Sequence, residues 1–505
     1  MAKTARLFSS VTAMACAAAV ALFLSCSGSK SSGVDVDDDT YPSSVTDLRV
    51  RSVTAGTVTL EWTAPGDEDT IGTAEQYDLR YSKSEITWQD WDAAAVLRPV
   101  GEPKPSPAGS TDTMRVTGLT ADSTYYFALK TRGSSGNWSW LSNCVSAVCF
   151  NDFEVTFPDA HLDEIIRTVI NKPSGAIHRS DLLPIQFIDA NDRSVASLAG
   201  LEYCVNLQAI FLWNDSVSDL TPLAGLVKLR SIQAGQNHIT DISALAGLVN
   251  LEQLILGDNT INDISAMDAM SKLSDVNLAG NQITSIAALA GKPAMTTLVL
   301  ERNNISDISP LSGMANLITL NLSSNHVASL AALSGMTKLT ALSLYDNSVS
   351  DISALATSTN LEQLNLWKNN ISSIGPLSGL TKMKVLFLSQ NQIGDIGALS
   401  NLTQLQGLYL GNNPISDVSA LAGLTMLTEL NLQSCQVVDV TPLQGLVSLL
   451  KLVLYYNQIV EIAPLVANPG LGTGDLLYLG GNPLSQESLN THVPALVARG
   501  VIVYL

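Results

Sequence analysis

Residues 193–484 repeat with a period of 22 residues, and three extra residues precede the last repeat, because Asn457 and Asn482 are 25 residues apart. The segments 229–250, 251–272 and 361–382 align on the template L-x-x-L-x-L-x-x-N-x-I-x-D-I-x-x-L-x-x-L, whose positions we number as slots 1 to 22. Slot 9 is asparagine in most repeats: Asn237, Asn259, Asn281, Asn303, Asn325, Asn347, Asn369, Asn391, Asn413, Asn457 and Asn482. The remaining repeats carry Arg193, Asp215 and Cys435 there, which makes fourteen coils. Such a period restricts the fold to a stack of similar units.

This template is identified as a leucine-rich repeat, which implies an α/β solenoid with a parallel sheet on its concave side. Slots 1, 4 and 6 are expected to form a short strand whose alternate side chains enter the core. No coil buries this apolar surface alone, so neighbouring coils must stack. The slot 9 asparagine is expected to satisfy backbone groups in the bend after each strand. At about 4.8 Å per strand, the sheet should extend roughly 60 Å.

Both ends of the repeat array carry sequences of another kind. Residues 153–192 predict an amphipathic helix between Pro158 and Pro173. Its apolar residues recur at helical spacing: Leu162, Ile165, Ile166, Val169 and Ile170. Residues 485–505 predict a helix followed by a strand over 501–505. We interpret both segments as caps on the solenoid core, and we expect the repeat domain to be complete at its C-terminal end.

The first residues resemble a bacterial lipoprotein signal peptide. Lys3 and Arg6 precede an apolar stretch that is too short for a comfortable membrane span, and Cys26 follows it. Lipoproteins are cut before such a cysteine, so the resemblance implies a signal peptide over 1–25 and lipid attachment at Cys26. An uncleaved anchor helix and an ordinary secretory signal are the alternatives. All three export the chain, and the lipoprotein interpretation anchors it to the bacterial cell envelope, at the outer membrane or cell surface.

Two further segments precede the repeats. Residues 26–44 are rich in serine, glycine and aspartate, which predicts a disordered tether. Residues 45–150 alternate apolar and polar residues in short runs typical of β-strands. Trp62 in an early strand, together with Leu119 six residues before Tyr125, resembles a fibronectin type III domain. Leu119 and Tyr125 match the tyrosine-corner motif of that family, and the resemblance implies a β-sandwich with Trp62 and Tyr125 in its core.

The repeats themselves resemble the bacterial class typified by internalins, over residues 153–505. The predicted fold is thus multidomain: a fibronectin type III-like β-sandwich precedes an α/β leucine-rich repeat solenoid with a parallel concave β-sheet and a helical N-terminal cap. The resemblance implies binding of another macromolecule through the concave strand face. The chain differs from internalins because it has a lipidation cysteine in place of a cell-wall sorting signal, and because its sandwich precedes the repeats. Host invasion is therefore not implied.

The composition is acidic. Asp plus Glu number 46 against 27 Lys plus Arg, a net charge of −19, which argues against nucleic acid as a partner. Much of this acidity recurs in slot 13, at positions that we call the aspartate column: Asp219, Asp241, Asp263, Asp307, Asp351, Asp395, Asp417 and Asp439. The column could bind calcium. Because serine replaces aspartate at Ser285, Ser329 and Ser373, we favour capping of a turn by short polar side chains.

No catalytic, metal-binding or cofactor motif stands out, so we expect no enzyme activity and no cofactor. The histidines are scattered. His238 and His326 share a slot, but four coils separate them by roughly 20 Å, which is too far for one metal ion. Cys144 and Cys149 are five residues apart, so they face opposite sides of any regular strand. A disulfide between them would require that strand to break.

Aromatic residues are concentrated in strand positions that point away from the core. Between residues 195 and 484, nine of ten Phe, Tyr and Trp residues fall in slots 5, 7 or 8. Slots 5 and 7 face the concave side because slots 4 and 6 point inward, so we expect these rings to be exposed. Exposed aromatic residues often dominate binding energy. The predicted ligand-binding patch consists of Tyr345, Trp367, Phe387, Tyr409, Tyr455 and Tyr478, flanked by polar Asn365, Lys368, Asn431 and Gln433.

Three functions fit this patch. The first is a non-catalytic, lipid-anchored envelope protein that recognises a protein partner through the concave face. The second is a glycan-binding surface protein, because aromatic rings stack on sugars while amides bond to hydroxyl groups. The third is a structural envelope scaffold without a discrete ligand, since β-propensity alone favours aromatic residues in exposed strand slots.

Overall fold

The structure, a computed structural model, describes residues 41–93 and 95–505. The predicted signal peptide, the predicted lipid-attachment residue Cys26 and most of the predicted tether lie outside the described residues. The chain divides into two compact units, with the boundary between Asn151 and Asp152. Among the described residues, no helix is long and apolar enough to cross a bilayer.

The N-terminal unit is a β-sandwich of two antiparallel sheets. Its strands are β1 (Arg49–Thr54), β2 (Thr57–Thr63), β3 (Gln76–Ser82), β4 (Thr111–Thr117), β5 (Ser123–Arg132) and β6 (Val145–Cys149). One sheet has the order β1-β2-β4 and the other β3-β5-β6. Alternation along β4 buries Met114 and Val116 while exposing Thr113 and Arg115. The predicted sandwich is thus confirmed.

The residues that carried the fibronectin type III resemblance lie in the core. Trp62 is fully buried and meets Tyr77 edge-on, with ring centroids 5.1 Å apart. Leu119 and Tyr125 are also buried. The Tyr125 hydroxyl accepts a hydrogen bond from the Thr120 N–H at 3.1 Å, which closes the corner before β5. The predicted core role of Trp62 and Tyr125 is confirmed.

The sandwich makes contacts before residue 45. The Asp69 N–H donates to the Tyr41 carbonyl at 3.1 Å, and the Ser43 N–H donates to the Asp69 carbonyl at 3.3 Å. Residues 41–44, which the sequence assigned to the tether, are therefore held on the sandwich by backbone hydrogen bonds.

Cys144 and Cys149 are free thiols on different sides of their sheet. Cys149 is part of the core between the sheets, whereas Cys144 packs against a separate cluster with Ile86 and Trp91. This placement agrees with their odd spacing in the sequence.

The solenoid unit begins with a cap. Its elements are β7 (Glu154–Val155), α1 (Ala160–Val169), β8 (Ile177–His178) and α2 (Arg179–Leu182), and β7 pairs with β8. Leu162, Ile165 and Ile166 bury one face of α1 against the solenoid core. Val169, which has the same spacing in the sequence, is 44% exposed because it lies in the last turn.

Asp159 joins this cap to the first coil. Its Oδ1 accepts hydrogen bonds from the N–H groups of His161 and Leu162, both at 3.0 Å. Its Oδ2 accepts from Ala196 at 2.7 Å and Ser197 at 3.1 Å. Burial tends to raise the pKa of Asp159, but the four backbone donors outweigh burial and hold this pKa below its usual range.

A single parallel sheet of fifteen strands runs along the solenoid. Its strands are β9 (Phe187–Asp189), β10 (Ala209–Phe211), β11 (Ser231–Gln233), β12 (Gln253–Ile255), β13 (Asp275–Asn277), β14 (Thr297–Val299), β15 (Thr319–Asn321), β16 (Ala341–Ser343), β17 (Gln363–Asn365), β18 (Val385–Phe387), β19 (Gly407–Tyr409), β20 (Glu429–Asn431), β21 (Lys451–Val453), β22 (Leu476–Tyr478) and β23 (Ile502–Tyr504). Equal slots pair, as when Leu342 aligns with Leu320 and Leu364. The predicted parallel solenoid is confirmed.

Between strands the chain makes short helical turns. Most are 3-10 turns: Leu201–Tyr203, Thr221–Leu223, Ser243–Leu245, Ser265–Met267, Ala287–Leu289, Ser309–Leu311, Ala331–Leu333, Ser353–Thr357, Gly375–Gly379, Gly397–Leu399, Ser419–Leu421 and Thr441–Gly445. Near the C-terminal end α3 (Ala463–Ala467) replaces them. A π-helical turn (Ser488–His492) then leads into α4 (Val493–Ala498) and β23. Leu496 of α4 covers the core at this end.

The slot 9 asparagines form what we call the asparagine ladder. Asn369 is representative: its Nδ2 donates to the Leu344 carbonyl at 2.9 Å and to the Leu366 carbonyl at 3.2 Å. Its Oδ1 accepts from the Val349 N–H at 2.9 Å. Leu344 and Val349 belong to the preceding coil, so each asparagine joins two coils. The predicted folding role is confirmed.

Slot 8 adopts a left-handed backbone in every coil. Its φ angle ranges from +52° at Ser324 to +75° at Gly481. Only Gly280 and Gly481 are glycines among these positions. The bend that precedes the ladder asparagine therefore requires a conformation that ordinary side chains disfavour.

Candidate ligand-binding face

The six residues of the predicted patch lie on coils that contribute β16 to β22. Trp367 is 40% exposed, whereas the other five side chains are half-buried. The expectation that all six would be exposed is therefore wrong for five of them. They are half-buried because neighbouring rings cover one another.

The rings form three separate pairs, which we call aromatic pairs 1, 2 and 3. Centroid distances are 5.2, 4.5 and 5.4 Å for Tyr345–Trp367, Phe387–Tyr409 and Tyr455–Tyr478, respectively. The coil between pairs 2 and 3 presents Asn431 and Gln433 in slots 5 and 7 instead. The patch is thus interrupted.

Tyr504 extends pair 3 and was missed by the sequence analysis. It stacks on Tyr478 with ring centroids 4.5 Å apart and is 42% exposed. The predicted final strand was the signal that could have revealed it, because Tyr504 aligns with Tyr478 across β22 and β23.

A second aromatic group lies at the other end of the same face. Phe187 and Phe211 meet edge-on with centroids 5.0 Å apart, and Trp213 follows Phe211 in slot 7. The Trp213 ring lies over Gly235 of the next coil, where an added Cβ would be 2.3 Å from a ring carbon. Glycine in slot 7 therefore makes room for a neighbouring aromatic ring.

Tyr409 of pair 2 is held from two sides. Its ring stacks on Phe387 at an interplanar angle of 9°, and its hydroxyl donates to Glu429 Oε2 at 2.8 Å. An added Cβ at Gly407 would be 3.3 Å from the Tyr409 ring, so the ring lies across its own strand. Burial and the carboxylate of Glu429 raise the pKa of Tyr409 to about 12. Tyr409 therefore stays neutral and fixed in orientation.

A shallow depression lies beside Phe387 of pair 2, and we call it the trough. Its volume is about 280 Å³. Its side-chain lining includes Thr319, Asn321, Ser343, Gln363, Asn365 and Phe387. None of its lining residues is charged. The sequence analysis did not identify it, although these residues occupy slots 3 and 5 of four consecutive coils.

Three of the predicted polar neighbours, Asn365, Asn431 and Lys368, have structural partners. The Asn365 Oδ1 accepts from the Trp367 N–H at 3.0 Å, and the Asn431 Oδ1 accepts from the Gln433 N–H at 2.9 Å. Lys368 pairs with Asp346 at 2.8 Å at the edge of the face. The amide oxygens of Asn365 and Asn431 thus support the backbone after each strand. The Asn365 Nδ2 group is left for other partners.

The aspartate column lies in a different part of each coil. Each carboxylate accepts a hydrogen bond from the N–H two residues further on, for example from Ser243 to Asp241 at 2.7 Å and from Ser309 to Asp307 at 2.8 Å. Backbone and side-chain hydrogen bonds from the same serines lower the pKa of both carboxyls. Among the described residues, no group of three or more His, Cys, Asp or Glu side chains could hold a metal ion. This geometry agrees with the capping interpretation of the column.

Two family models match the chain. The Fibronectin type III domain model matches residues 43–145, and the Leucine Rich repeats (2 copies) model matches 315–357, 359–401 and 381–423. Both are typically non-catalytic binding domains, and no enzyme family matches. An internalin (inlF) from Listeria monocytogenes is 34% identical, with 62% of this chain and 94% of that chain covered and a TM-score of 0.61. This chain belongs to the internalin family.

Other solved structures share the internalin-like fold at lower identity. The functional domain of InlJ from Listeria monocytogenes is 19% identical, with a TM-score of 0.58 over 68% of this chain and 78% of that one. A TDR receptor is also 19% identical, with a TM-score of 0.55 over 61% and 57% of the two chains. No curated protein is significantly similar to the chain. The internalin-like repeats follow a fibronectin type III domain in this protein.

Proposed function

We propose that this protein is a non-catalytic, lipid-anchored protein of the bacterial cell envelope that binds a protein partner through the C-terminal half of its concave face. The observation that carries the proposal is the set of three aromatic pairs on coils contributing β16 to β22. Aromatic side chains are enriched among residues that dominate protein–protein binding. Rings that are already packed against each other lose little conformational freedom when a partner binds, which favours affinity.

Partner capture by the full chain tests this proposal. The purified chain is immobilised and incubated with solubilised envelope proteins and with the culture medium, and retained proteins are identified by mass spectrometry. The variant Trp367→Ala/Tyr409→Ala should retain its partner at least tenfold less well, because each loss of a hot-spot ring weakens binding by about 2 kcal/mol or more.

The matched control is Trp213→Ala/Phe211→Ala, which removes rings from the same two slots in the other aromatic group. It should retain the partner as the wild type does. Melting temperatures of both variants show whether the fold is preserved. Equal capture by the wild type and both variants would contradict the proposal and favour a scaffold without a discrete ligand.

The lipid anchor rests on Cys26, which follows the signal-like apolar stretch. Metabolic labelling with a palmitate analogue should mark the wild type, and Cys26→Ala should abolish the label and move the protein out of the membrane fraction. Cys16→Ala changes another N-terminal cysteine and should keep both properties. A Cys26→Ala protein that remains labelled would contradict lipidation at this residue.

A glycan ligand is the second candidate function. The trough favours it, because uncharged polar side chains line a depression next to aromatic rings. Capture on an array of glycans, with the same two double variants, separates this candidate from binding of a protein partner.

A further inference from the structure

The size of the trough restricts what it can hold. Its volume of about 280 Å³ is at the lower end of the roughly 300–1,000 Å³ typical of drug-sized ligands. One compact group fits such a space, whereas a folded segment does not. Because the trough is open, that group can belong to a larger molecule.

The floor of the trough offers hydrogen bonds without charge. The Asn321 Nδ2 donates to Glu301 Oε2 at 2.6 Å, and the Ser343 and Ser323 hydroxyls are 2.7 Å apart, so these side chains are fixed in place. Within residues 41–93 and 95–505, the Gln363 amide and the Asn365 Nδ2 have no protein hydrogen-bond partner. Amide groups both donate and accept, which suits hydroxyl groups. A charged ligand would find no opposite charge on the lining.

One aromatic ring lines this floor, and a second follows one of its strands in slot 7. Phe387 lines one end, and its ring is held by Tyr409 at 4.5 Å. Trp367 follows Asn365 by two residues, roughly 7 Å along the strand direction, and is the most exposed member of the three aromatic pairs. The negative face of an aromatic ring attracts the weakly positive C–H groups of an apolar ring face. A ligand with both hydroxyl groups and an apolar ring face can form hydrogen bonds with the amide groups of the floor and stack on an aromatic ring.

We propose that the trough binds one neutral sugar residue of a glycan. The proposal rests on the proposed function in that both place ligand binding on the concave face, and a glycosylated partner protein would use both sites at once. A neutral polar side chain of the partner is the competing occupant of the trough.

Saturation-transfer NMR of the full chain tests this proposal directly. The probes are free glucose, galactose, mannose, fucose and N-acetylglucosamine at millimolar concentration, with glucuronic acid and N-acetylneuraminic acid as charged comparisons. At least one neutral sugar should receive saturation, and the acids should not. Asn365→Ala should weaken the binding at least tenfold, and Phe387→Ala should weaken it through the loss of the wall.

Asn277→Ala is the matched control. Asn277 occupies the same slot four coils away, and its Oδ1 accepts from the Ala279 N–H at 3.0 Å, as the Asn365 Oδ1 does from Trp367. Loss of this backbone support is therefore equal in both variants, and Asn277→Ala should keep sugar binding. Equal weakening by both variants, a preference for the acids, or no saturation of any neutral sugar would overturn the proposal.

The result is separable from the test of the proposed function. If no sugar binds while partner capture still depends on Trp367 and Tyr409, the trough accommodates a side chain of the protein partner and only the sugar proposal fails. If neutral sugars bind through Asn365 while no protein is captured, the protein-binding proposal fails and the protein is a glycan-binding protein.

Discussion

Asp215 occupies a position of the asparagine ladder that its chemistry suits poorly. Its Oδ1 accepts hydrogen bonds from the backbone N–H groups of Arg193 at 3.1 Å and Val195 at 2.9 Å, as an asparagine oxygen would. Its buried Oδ2 has no hydrogen-bond partner among the described residues, in the place where an asparagine nitrogen donates to carbonyl groups. Burial raises the pKa of Asp215 above its usual value despite the backbone donors.

We predict that Asp215→Asn stabilises the protein at pH 7 by about 1 to 2 kcal/mol, because the amide restores the missing donor. The pKa of Asp215 is raised in the folded state, so its protonated form is favoured there and stability is lost as pH rises from below 3.8 through the folded pKa. The gain from Asp215→Asn should therefore be larger at pH 7 than at pH 4. Urea unfolding at both pH values measures it.

Cys435→Asn provides the comparison for this prediction. It places an asparagine in the same slot, where the Cys435 Sγ lies 3.6 Å from the Leu410 carbonyl, and it removes no charge because burial raises the pKa of Cys435 to about 11. Any gain in stability from Cys435→Asn should be the same at both pH values. A gain from Asp215→Asn that is also independent of pH would contradict the assigned role of its charge.

At the scale of the repeating element, the bend after each strand depends on a left-handed residue in slot 8. Side chains as different as those of Arg302, Ser324 and Tyr456 adopt it, with φ between +52° and +55°. In this conformation the slot 8 N–H donates to the slot 7 carbonyl of the next coil, at 2.8 Å for Arg302, 2.6 Å for Ser324 and 2.9 Å for Tyr456. These hydrogen bonds between coils offset an intrinsic cost of about 1 to 3 kcal/mol. The bend is thus held by the neighbouring coil, including the coils where Arg193 and Cys435 replace the asparagine.

We predict that Ser324→Val lowers the free energy of unfolding by about 1 to 2 kcal/mol, because a β-branched side chain is least compatible with positive φ. Ser324→Gly should change stability by less than about 1 kcal/mol, since relief of strain offsets the greater freedom of the unfolded chain. Ser348→Val, at an exposed slot 10 position outside the left-handed region, serves as the control. Equal destabilisation by both valine variants in urea unfolding would disprove the role of backbone conformation.

Across the whole molecule, the aspartate column couples stability to acidity. Hydrogen bonds from serine lower the pKa of Asp241, Asp307 and Asp351 below the ordinary value of 3.8. Carboxyls with a lowered folded pKa contribute stability that is present above pH 3.8 and is lost as pH falls through the folded pKa. This dependence has the opposite sign to that of Asp215.

We therefore predict that the melting temperature of the solenoid falls below about pH 4, and that Asp241→Ser/Asp307→Ser/Asp351→Ser reduces this fall. Serine already caps the turn at Ser285 and Ser329, where the hydroxyl accepts a hydrogen bond from the N–H two residues further on at a distance of 3.4 Å. These longer bonds suggest a slightly lower stability of the triple variant at pH 7. The same loss on acidification in the wild type and the variant would rule out the column as its source.

The sequence predicts the solenoid well because each slot has one physical task in every coil. Leucine spacing, the ladder asparagine and the capping aspartate are local patterns, and the sheet register follows once equal slots pair. The candidate site depends on side chains that differ from coil to coil. The turn of the Tyr409 ring toward Glu429 and the depression over Ser343 arise from side-chain packing between coils of different composition. Spacing placed these residues on one face but could not determine which rings would cover one another.

The asparagine ladder also limits how such a protein can change in length. Each asparagine bonds to carbonyl and N–H groups of the coil behind it, as Asn391 does with Leu366 and Ile371. A coil removed or duplicated as a whole leaves every remaining asparagine with an equivalent neighbour, whereas a partial coil leaves buried polar groups unmatched. The protein can therefore lengthen or shorten its concave face only by whole coils, and each added coil brings one new set of outward-facing residues to that face.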